Sequence, residues 1–238
     1  AGARGRREGW SASSAVECGG FSRRHKSPAA PRAGRGVGAV GGRATPRGAP
    51  LTLVIPKLDA PGGLDQVRSR IHDRGMTPRL IPIVETARGL ACVEALAAAD
   101  SVAAILFGGL DLSVDLGTAL DWDALLYARS RTVHAARLGG VGAIDMPFFD
   151  ISDHAGLSDD AARVRRLGFK GKTAIHPSHV SAIQEIFSPS EDEVTQARRV
   201  TEAARDSKGV FMLDDVMVDR PGIVAAERIV AWADAHER

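Results

Sequence analysis

The sequence has few cysteines and no long apolar run. Its 238 residues include two cysteines, Cys18 and Cys92, whose spacing matches neither a disulfide framework nor a metal-binding pair. No stretch approaches the roughly 18 consecutive apolar residues that a membrane-spanning helix needs. These absences argue against a disulfide-stapled secreted protein and an integral membrane protein. They favour the reducing cytoplasm as the location.

Residues 1–50 lack apolar periodicity and are rich in arginine and glycine. They hold ten Arg or Lys against two acidic residues (+8), which leaves 21 basic against 27 acidic groups (−6) for residues 51–238. Such a segment cannot bury enough apolar surface to offset its ordering entropy, so we expect a disordered leader. Apart from Trp10 and Phe21 it lacks the aromatic residues of a nucleic-acid-binding arm, and it has no apolar signal core. We therefore expect neither nucleic acid nor a membrane as a partner.

From Leu51 onward, short apolar runs alternate with segments of helical periodicity. The predicted strands are Leu51–Pro56, Leu80–Val84, Val102–Phe107, Val141–Ile144 and Lys172–Ile175. The predicted crossover helices are 63–74, 89–99, 122–138 and 158–167, the last opened by Ser158 as a cap. Strands joined by crossover helices pair in parallel, so we expect an α/β fold, either a TIM-type (β/α)8 barrel or a doubly wound sheet. The first run is apolar throughout, which predicts a strand buried on both faces.

The C-terminal part departs from this alternation. Helical patterns cover 178–187, 191–206 and 221–235, and the apolar stretch Gly209–Val218 lies between the last two. We therefore divide the chain into a leader (1–50), a partial barrel (51–188) and a C-terminal helical and hairpin extension (189–238).

Two carboxylates directly follow neighbouring strands. Glu85 comes after Leu80–Val84, and Asp111 comes shortly after Val102–Phe107. Catalytic groups of parallel α/β folds lie where strands end, and Mg²⁺ usually takes only one or two protein carboxylates. The pair therefore predicts a magnesium site, with the alternative that Glu85 only caps or starts the next helix.

Four segments occur in an order that resembles the HpcH/HpaI aldolase and citrate lyase β-subunit family. They are Ile55-Pro-Lys57, Glu85-Thr-Ala-Arg-Gly89, Phe107-Gly-Gly-Leu-Asp-Leu112 and Gly171-Lys-Thr-Ala-Ile-His-Pro177. The resemblance implies that Glu85 and Asp111 hold Mg²⁺. It also implies a carbon–carbon lyase that cleaves a 3-hydroxyacyl-CoA of the citryl-, malyl- or citramalyl-CoA type into an acyl-CoA and a keto acid, with coenzyme A as part of the substrate.

The resemblance suggests further site residues, each with an alternative. Gly108 and Gly109 either present backbone amides to a substrate carboxylate or form a simple tight turn, and Arg88 either meets an anionic substrate or pairs with a surface acid. His176 and Pro177 either lie near the CoA-binding side or fix their loop. Asp219 matches an acid–base residue that reaches an adjacent subunit's site, which implies a trimeric homo-oligomer.

Complete members of this family begin with further strands, an acidic pair and a substrate-binding arginine, and residues 1–50 contain none of these. The resemblance therefore implies an incomplete TIM-type barrel. Two alternatives to the acyl-CoA lyase follow: a 2-keto acid aldolase that works without CoA, and an inactive truncated or frameshifted remnant of such an enzyme.

Overall fold

The computed structural model describes residues 51–73, 75–207 and 209–236. The predicted leader lies outside the described residues. The chain forms two compact units, one up to Gly142 and one from Ala143 onward. The division into a barrel part and an extension after residue 188 stays a prediction.

The first unit alternates strands and helices. Its elements are β1 (Leu51–Ile55), α1 (Gly62–His72), β2 (Pro78–Val84), α2 (Ala87–Ala91), α3 (Val93–Ala97), β3 (Ala104–Phe107), α4 (Gly109–Leu116) and α5 (Trp122–Leu138). Strand β1 pairs in parallel with β2, and β2 pairs in parallel with β3. Because Val84 aligns with Phe107 in this register, β2 and β3 end at the same level.

The core of the first unit lies between these strands and the helices that cross back over them. Leu80, Val84, Ile105 and Phe107 are fully buried on the strands. Strand β1 differs from its prediction, because Thr52 is exposed and Val54 is 53% exposed. Successive side chains of a strand point to opposite faces, and among the described residues only one face of β1 is covered.

The second unit begins within β4 (Gly142–Asp145). It continues with α6 (His154–Leu167), β5 (Gly171–Lys172), a 3₁₀ turn (Pro177–His179), α7 (Val180–Phe187), α8 (Glu191–Arg205), β6 (Phe211–Leu213), β7 (Val216–Val218) and α9 (Arg220–His236). Strands β4 and β5 are parallel, whereas β6 and β7 form an antiparallel hairpin. The hairpin turns through Asp214 and Asp215, both at positive φ, and Arg199 pairs with Asp214 at 2.7 Å.

The predicted α/β class is confirmed, with five strands in parallel pairs. The predicted start of one helix is wrong. Helix α6 begins at His154 rather than Ser158, because the Asp153 side chain caps it by accepting from the Gly156 amide at 2.8 Å. Helix α4 is an element that the sequence analysis did not predict.

None of the described helices is both long enough and apolar enough to cross a membrane.

Candidate active site

Glu85 and Gly108 are neighbours because β2 and β3 end together. A Cβ atom added to Gly108 would lie 2.6 Å from the Glu85 Cβ and 3.2 Å from its Oε2. Only glycine permits so close an approach. The Gly108 amide donates to the Val84 carbonyl at 2.9 Å, which fixes the turn after β3 beside the carboxylate.

A third strand end contributes to the same place. The Lys57 backbone amide, just beyond β1, donates to the Glu85 Oε1 at 2.7 Å. Lys57 has φ 53°, in the left-handed region that non-glycine residues seldom adopt. Strain of this kind concentrates at functional sites.

The electrostatic environment of Glu85 opposes its ionised form. Its side chain belongs to a residue that is only 6% exposed, and burial raises the pKa of the carboxyl. The nearby negative charge of Asp111 raises this pKa further, whereas the hydrogen bond from the Lys57 amide lowers it. A cation between the two carboxylates would offset both unfavourable effects.

The residues fit magnesium better than a metal that needs many protein ligands. Over residues 51–73, 75–207 and 209–236, no three or more His, Cys, Asp or Glu residues group together to hold a metal. Magnesium takes one or two carboxylates and keeps several waters. Asp111 is exposed in the first turn of α4, so its open side leaves room for water and substrate.

Glu85 is not the cap of the following helix. Thr86 caps α2 by accepting from the Gly89 amide at 2.9 Å, and its hydroxyl donates to Asp59 at 2.7 Å. Thr86 thus has the capping role that was the alternative for Glu85. Arg88 lies exposed in α2 and makes no ion pair with a described residue.

The two glycines have different roles. Gly108 caps α4, and its own amide is engaged by Val84. Gly109 is the first residue of α4, where amides have no partner within the helix. Gly108 alone thus links β3 to α4, and binding of a substrate carboxylate by the Gly109 amide stays a prediction.

The other predicted site residues belong to the second unit. His176 accepts from the Ser178 amide at 3.2 Å and so caps the 3₁₀ turn that Pro177 begins. Asp219 accepts from the Gly222 amide at 3.2 Å, at the start of α9. Each of these side chains thus has a local structural role in addition to any chemical one.

Sequence reasoning gave no role to a buried charge cluster at the ends of β4 and β5. The Lys172 Nζ lies 2.8 Å from Asp145 and 2.5 Å from Asp160, with both the Lys172 and Asp145 side chains fully buried. A buried charge needs such partners. Lys172 stands in the quoted segment Gly171–Pro177 and Asp145 directly follows the predicted strand Val141–Ile144, but only the fold brings the two charges together.

Comparisons with known proteins agree with this architecture. Residues 43–177 match the family model described as HpcH/HpaI aldolase/citrate lyase, and residues 122–236 match that of a carbon–carbon bond lyase of the TIM-barrel fold. The chain is 30% identical to citrate lyase subunit beta of Leuconostoc mesenteroides over 196 residues (76% of this chain, 65% of that protein). It is 31% identical to mitochondrial citramalyl-CoA lyase of Rattus norvegicus over 205 residues (77% and 61%).

A solved structure gives a similar result. The protein CitE of Mycobacterium tuberculosis, in complex with magnesium, acetoacetate and coenzyme A, superposes with a TM-score of 0.67 at 30% identity. The match covers 77% of this chain and 68% of that one. In the two curated relatives named above, the citrate lyase subunit and the citramalyl-CoA lyase, the chain covers less than two thirds of the length.

Proposed function

Because the chain belongs to the HpcH/HpaI aldolase/citrate lyase family, we propose that it is a Mg²⁺-dependent carbon–carbon lyase. Its substrate is a 3-hydroxyacyl-CoA of the citryl-, malyl- or citramalyl-CoA type, and its products are an acyl-CoA and a keto acid. The observation that carries the proposal is the pair of Glu85 and Asp111, one buried and one exposed, at adjacent strand ends. The ligands named for relatives (magnesium, acetoacetate and coenzyme A) support it.

In this proposal Glu85 and Asp111 hold the metal ion. Bound Mg²⁺ supplies positive charge that stabilises the oxygen of the developing ketone. The Lys57 amide keeps the Glu85 carboxylate oriented through its 2.7 Å hydrogen bond. Arg88, which is exposed in α2, and the Gly109 amide, which has no partner within α4, are proposed to bind the carboxylate of the departing keto acid.

Cleavage requires two proton movements. The hydroxyl of the substrate loses its proton as the carbon–carbon bond breaks, and the electron pair of that bond passes to the carbon next to the thioester, which then takes up a proton. Asp219 is the proposed acid–base group for an adjacent subunit's site. Its hydrogen bond to Gly222 uses Oδ1 and orients the carboxylate. His176 and Pro177 are proposed to line the CoA side.

The role of Asp219 requires a homo-oligomer, for which we propose a trimer. The β6–β7 hairpin that precedes Asp219 has an unusual surface. Met212 and Met217 face each other across the strands and are 63% and 64% exposed, and Val210 and Val216 are also exposed. Exposed apolar groups of this kind mark protein interfaces. We propose the cytoplasm as the location, because the spacing of the two cysteines in the sequence is not that of a disulfide framework.

The test is release of a keto acid from purified chain. Citryl-CoA, malyl-CoA and citramalyl-CoA are compared with the corresponding free hydroxy acids and with free hydroxy-keto acids, with Mg²⁺ or EDTA. We expect release from at least one thioester, only with Mg²⁺, and its loss in Glu85→Gln. Turnover of a free hydroxy-keto acid, indifferent to CoA, would instead identify a 2-keto acid aldolase. No turnover by a folded, Mg²⁺-binding chain would identify an inactive remnant.

A further inference from the structure

We propose that Asp115 is a positioning residue that holds the two metal-binding carboxylates at their working separation. The proposal rests on the magnesium site of Glu85 and Asp111 described above. It concerns a residue that has no place in that site itself.

Asp115 joins the two segments that carry the ligands. Its Oδ2 accepts from the Ala87 backbone amide at 2.7 Å. Ala87 is the first residue of α2 and follows Glu85 by two positions. The bond therefore connects α4 to the chain immediately after the buried ligand.

The same bond sets the rotation of α4. Asp111 and Asp115 are four residues apart in one helix, so they lie on the same face. When Asp115 is fixed to the start of α2, Asp111 is turned toward the Glu85 side. The electrostatic effect of Asp111 on the pKa of Glu85 agrees with this placement.

Helix α4 is short and only partly buried. It has eight residues, too few to be stable alone. Leu112 and Ser113 are buried, but Leu110 and Val114 are 44% and 76% exposed. These buried residues hold one face of the helix against the unit, and the inferred role of Asp115 is to fix more narrowly where the acidic face points. A charged hydrogen bond to a backbone amide is strong and directional enough to do so.

The alternative is that Asp115 only stabilises the start of α2. A stability role and a positioning role predict different results for Mg²⁺ affinity, because loss of a helix cap lowers stability wherever it occurs. Asp121 offers a matched control. It accepts from the Ala124 amide at 2.9 Å at the start of α5 and is also exposed.

Two substitutions separate the hydrogen bond from the charge. Asp115→Asn removes the charge but keeps an acceptor oxygen. Ala87→Pro removes the donor and keeps the charge. Proline is favoured at the first position of a helix, and Thr86 before it is already extended, at φ −135° and ψ 156°.

The experiment is a calorimetric Mg²⁺ titration of the full chain without substrate, with a thermal unfolding curve for every variant. We expect Asp115→Ala and Ala87→Pro to raise the Mg²⁺ dissociation constant about tenfold, the usual effect of losing a group that orients a metal ligand. Asp115→Asn should restore most of the affinity. Asp121→Ala should lower the unfolding temperature and leave the affinity unchanged.

Unchanged affinity in either Asp115→Ala or Ala87→Pro would overturn the positioning role and leave the metal site standing. Binding by Asp115→Asn as weak as that of Asp115→Ala would also overturn it, because the charge would then be the cause. Failure of the unchanged chain to bind Mg²⁺ would overturn the proposed function and this inference together.

Discussion

At the scale of single residues, the fold places Glu85 where its charge is unfavourable without a counter-ion. Burial raises the pKa of this carboxyl, and the charge of Asp111 adds to the effect. Glu94 in the same unit is the opposite case, because its ion pair with Arg131 at 3.0 Å lowers its pKa. The two glutamates therefore predict opposite effects of pH on stability.

We predict that Glu85→Gln raises the unfolding temperature in EDTA at neutral pH. A raised pKa means that the folded chain binds the proton more tightly than the unfolded chain, so the free energy of unfolding falls as pH rises through the window between the two pKa values. Glutamine has no proton to lose. The difference in unfolding temperature between Glu85→Gln and the unchanged chain should therefore vanish toward about pH 4, near the ordinary pKa of a glutamate carboxyl.

Glu94→Gln is the control with the opposite sign. Its lowered pKa stabilises the folded chain at pH values above the pKa of the unfolded state. This stabilisation is lost as the pH falls through the lowered pKa of the folded state. The variant should thus be less stable than the unchanged chain at neutral pH and approach it in acid. Thermal scans in EDTA across this range test both. Parallel pH curves for the unchanged chain and Glu85→Gln would refute the account of Glu85.

The sequence predicts that Glu85 and Asp111 share a site, because both follow strands of one parallel sheet, and this assignment stays a prediction. It did not indicate Asp115 or the Lys57 amide. The role of Asp115 depends on α4, a helix that the sequence analysis did not predict. The role of Lys57 depends on a backbone conformation, which residue type alone does not reveal.

At the scale of elements, β5 is held by a buried charge more than by its ladder. The strand has only two residues, and one of them is Lys172, which contacts Asp145 on β4 and Asp160 on α6. The sequence predicted a longer strand, Lys172–Ile175, from its motif and composition. The ladder instead ends at Lys172, because its partner strand β4 ends at Asp145, whose carbonyl accepts the last ladder bond from the Thr173 amide at 2.9 Å.

We predict that Lys172→Met destabilises the chain strongly. The change removes the ammonium from two carboxylates, one of them fully buried, and breaking a buried ion pair from one side costs about 3 kcal/mol or more. Urea unfolding measures the loss. Lys170→Met, at an exposed position two residues earlier, should be close to neutral. A loss in Lys172→Met no larger than in this control would show that the cluster contributes nothing to stability.

At the scale of the whole molecule, the β6–β7 hairpin and its flank carry four exposed apolar side chains, those of Val210, Met212, Val216 and Met217. Composition and periodicity predicted the α/β class and a C-terminal departure from it, and both are observed. They could not predict which apolar side chains stay exposed to solvent. Met212 and Met217 are of a residue type that is also common in protein cores. Exposure is set by the packing of the complete fold.

We predict that Met212→Lys combined with Met217→Glu dissociates the oligomer. The two positions are directly opposite in the hairpin, so the new charges attract each other and preserve it, while the apolar contact surface is lost. Light scattering during gel filtration should show a trimer for the unchanged chain and a monomer for the double variant. Tyr127→Lys, at another exposed apolar position, should remain a trimer. A monomeric unchanged chain, or a double variant that stays assembled, would contradict the assigned interface.

Thermal unfolding with EDTA and then with millimolar Mg²⁺ tests most directly whether Glu85 and Asp111 form a magnesium site in a folded chain. A ligand that binds only the folded state must raise its stability, by about 2.7 kcal/mol at a hundredfold excess over the dissociation constant. We predict a cooperative transition that Mg²⁺ moves to higher temperature in the unchanged chain and leaves in place in Glu85→Gln. A transition temperature that does not change with Mg²⁺, or that rises equally in both proteins, would contradict a magnesium site at Glu85 and Asp111.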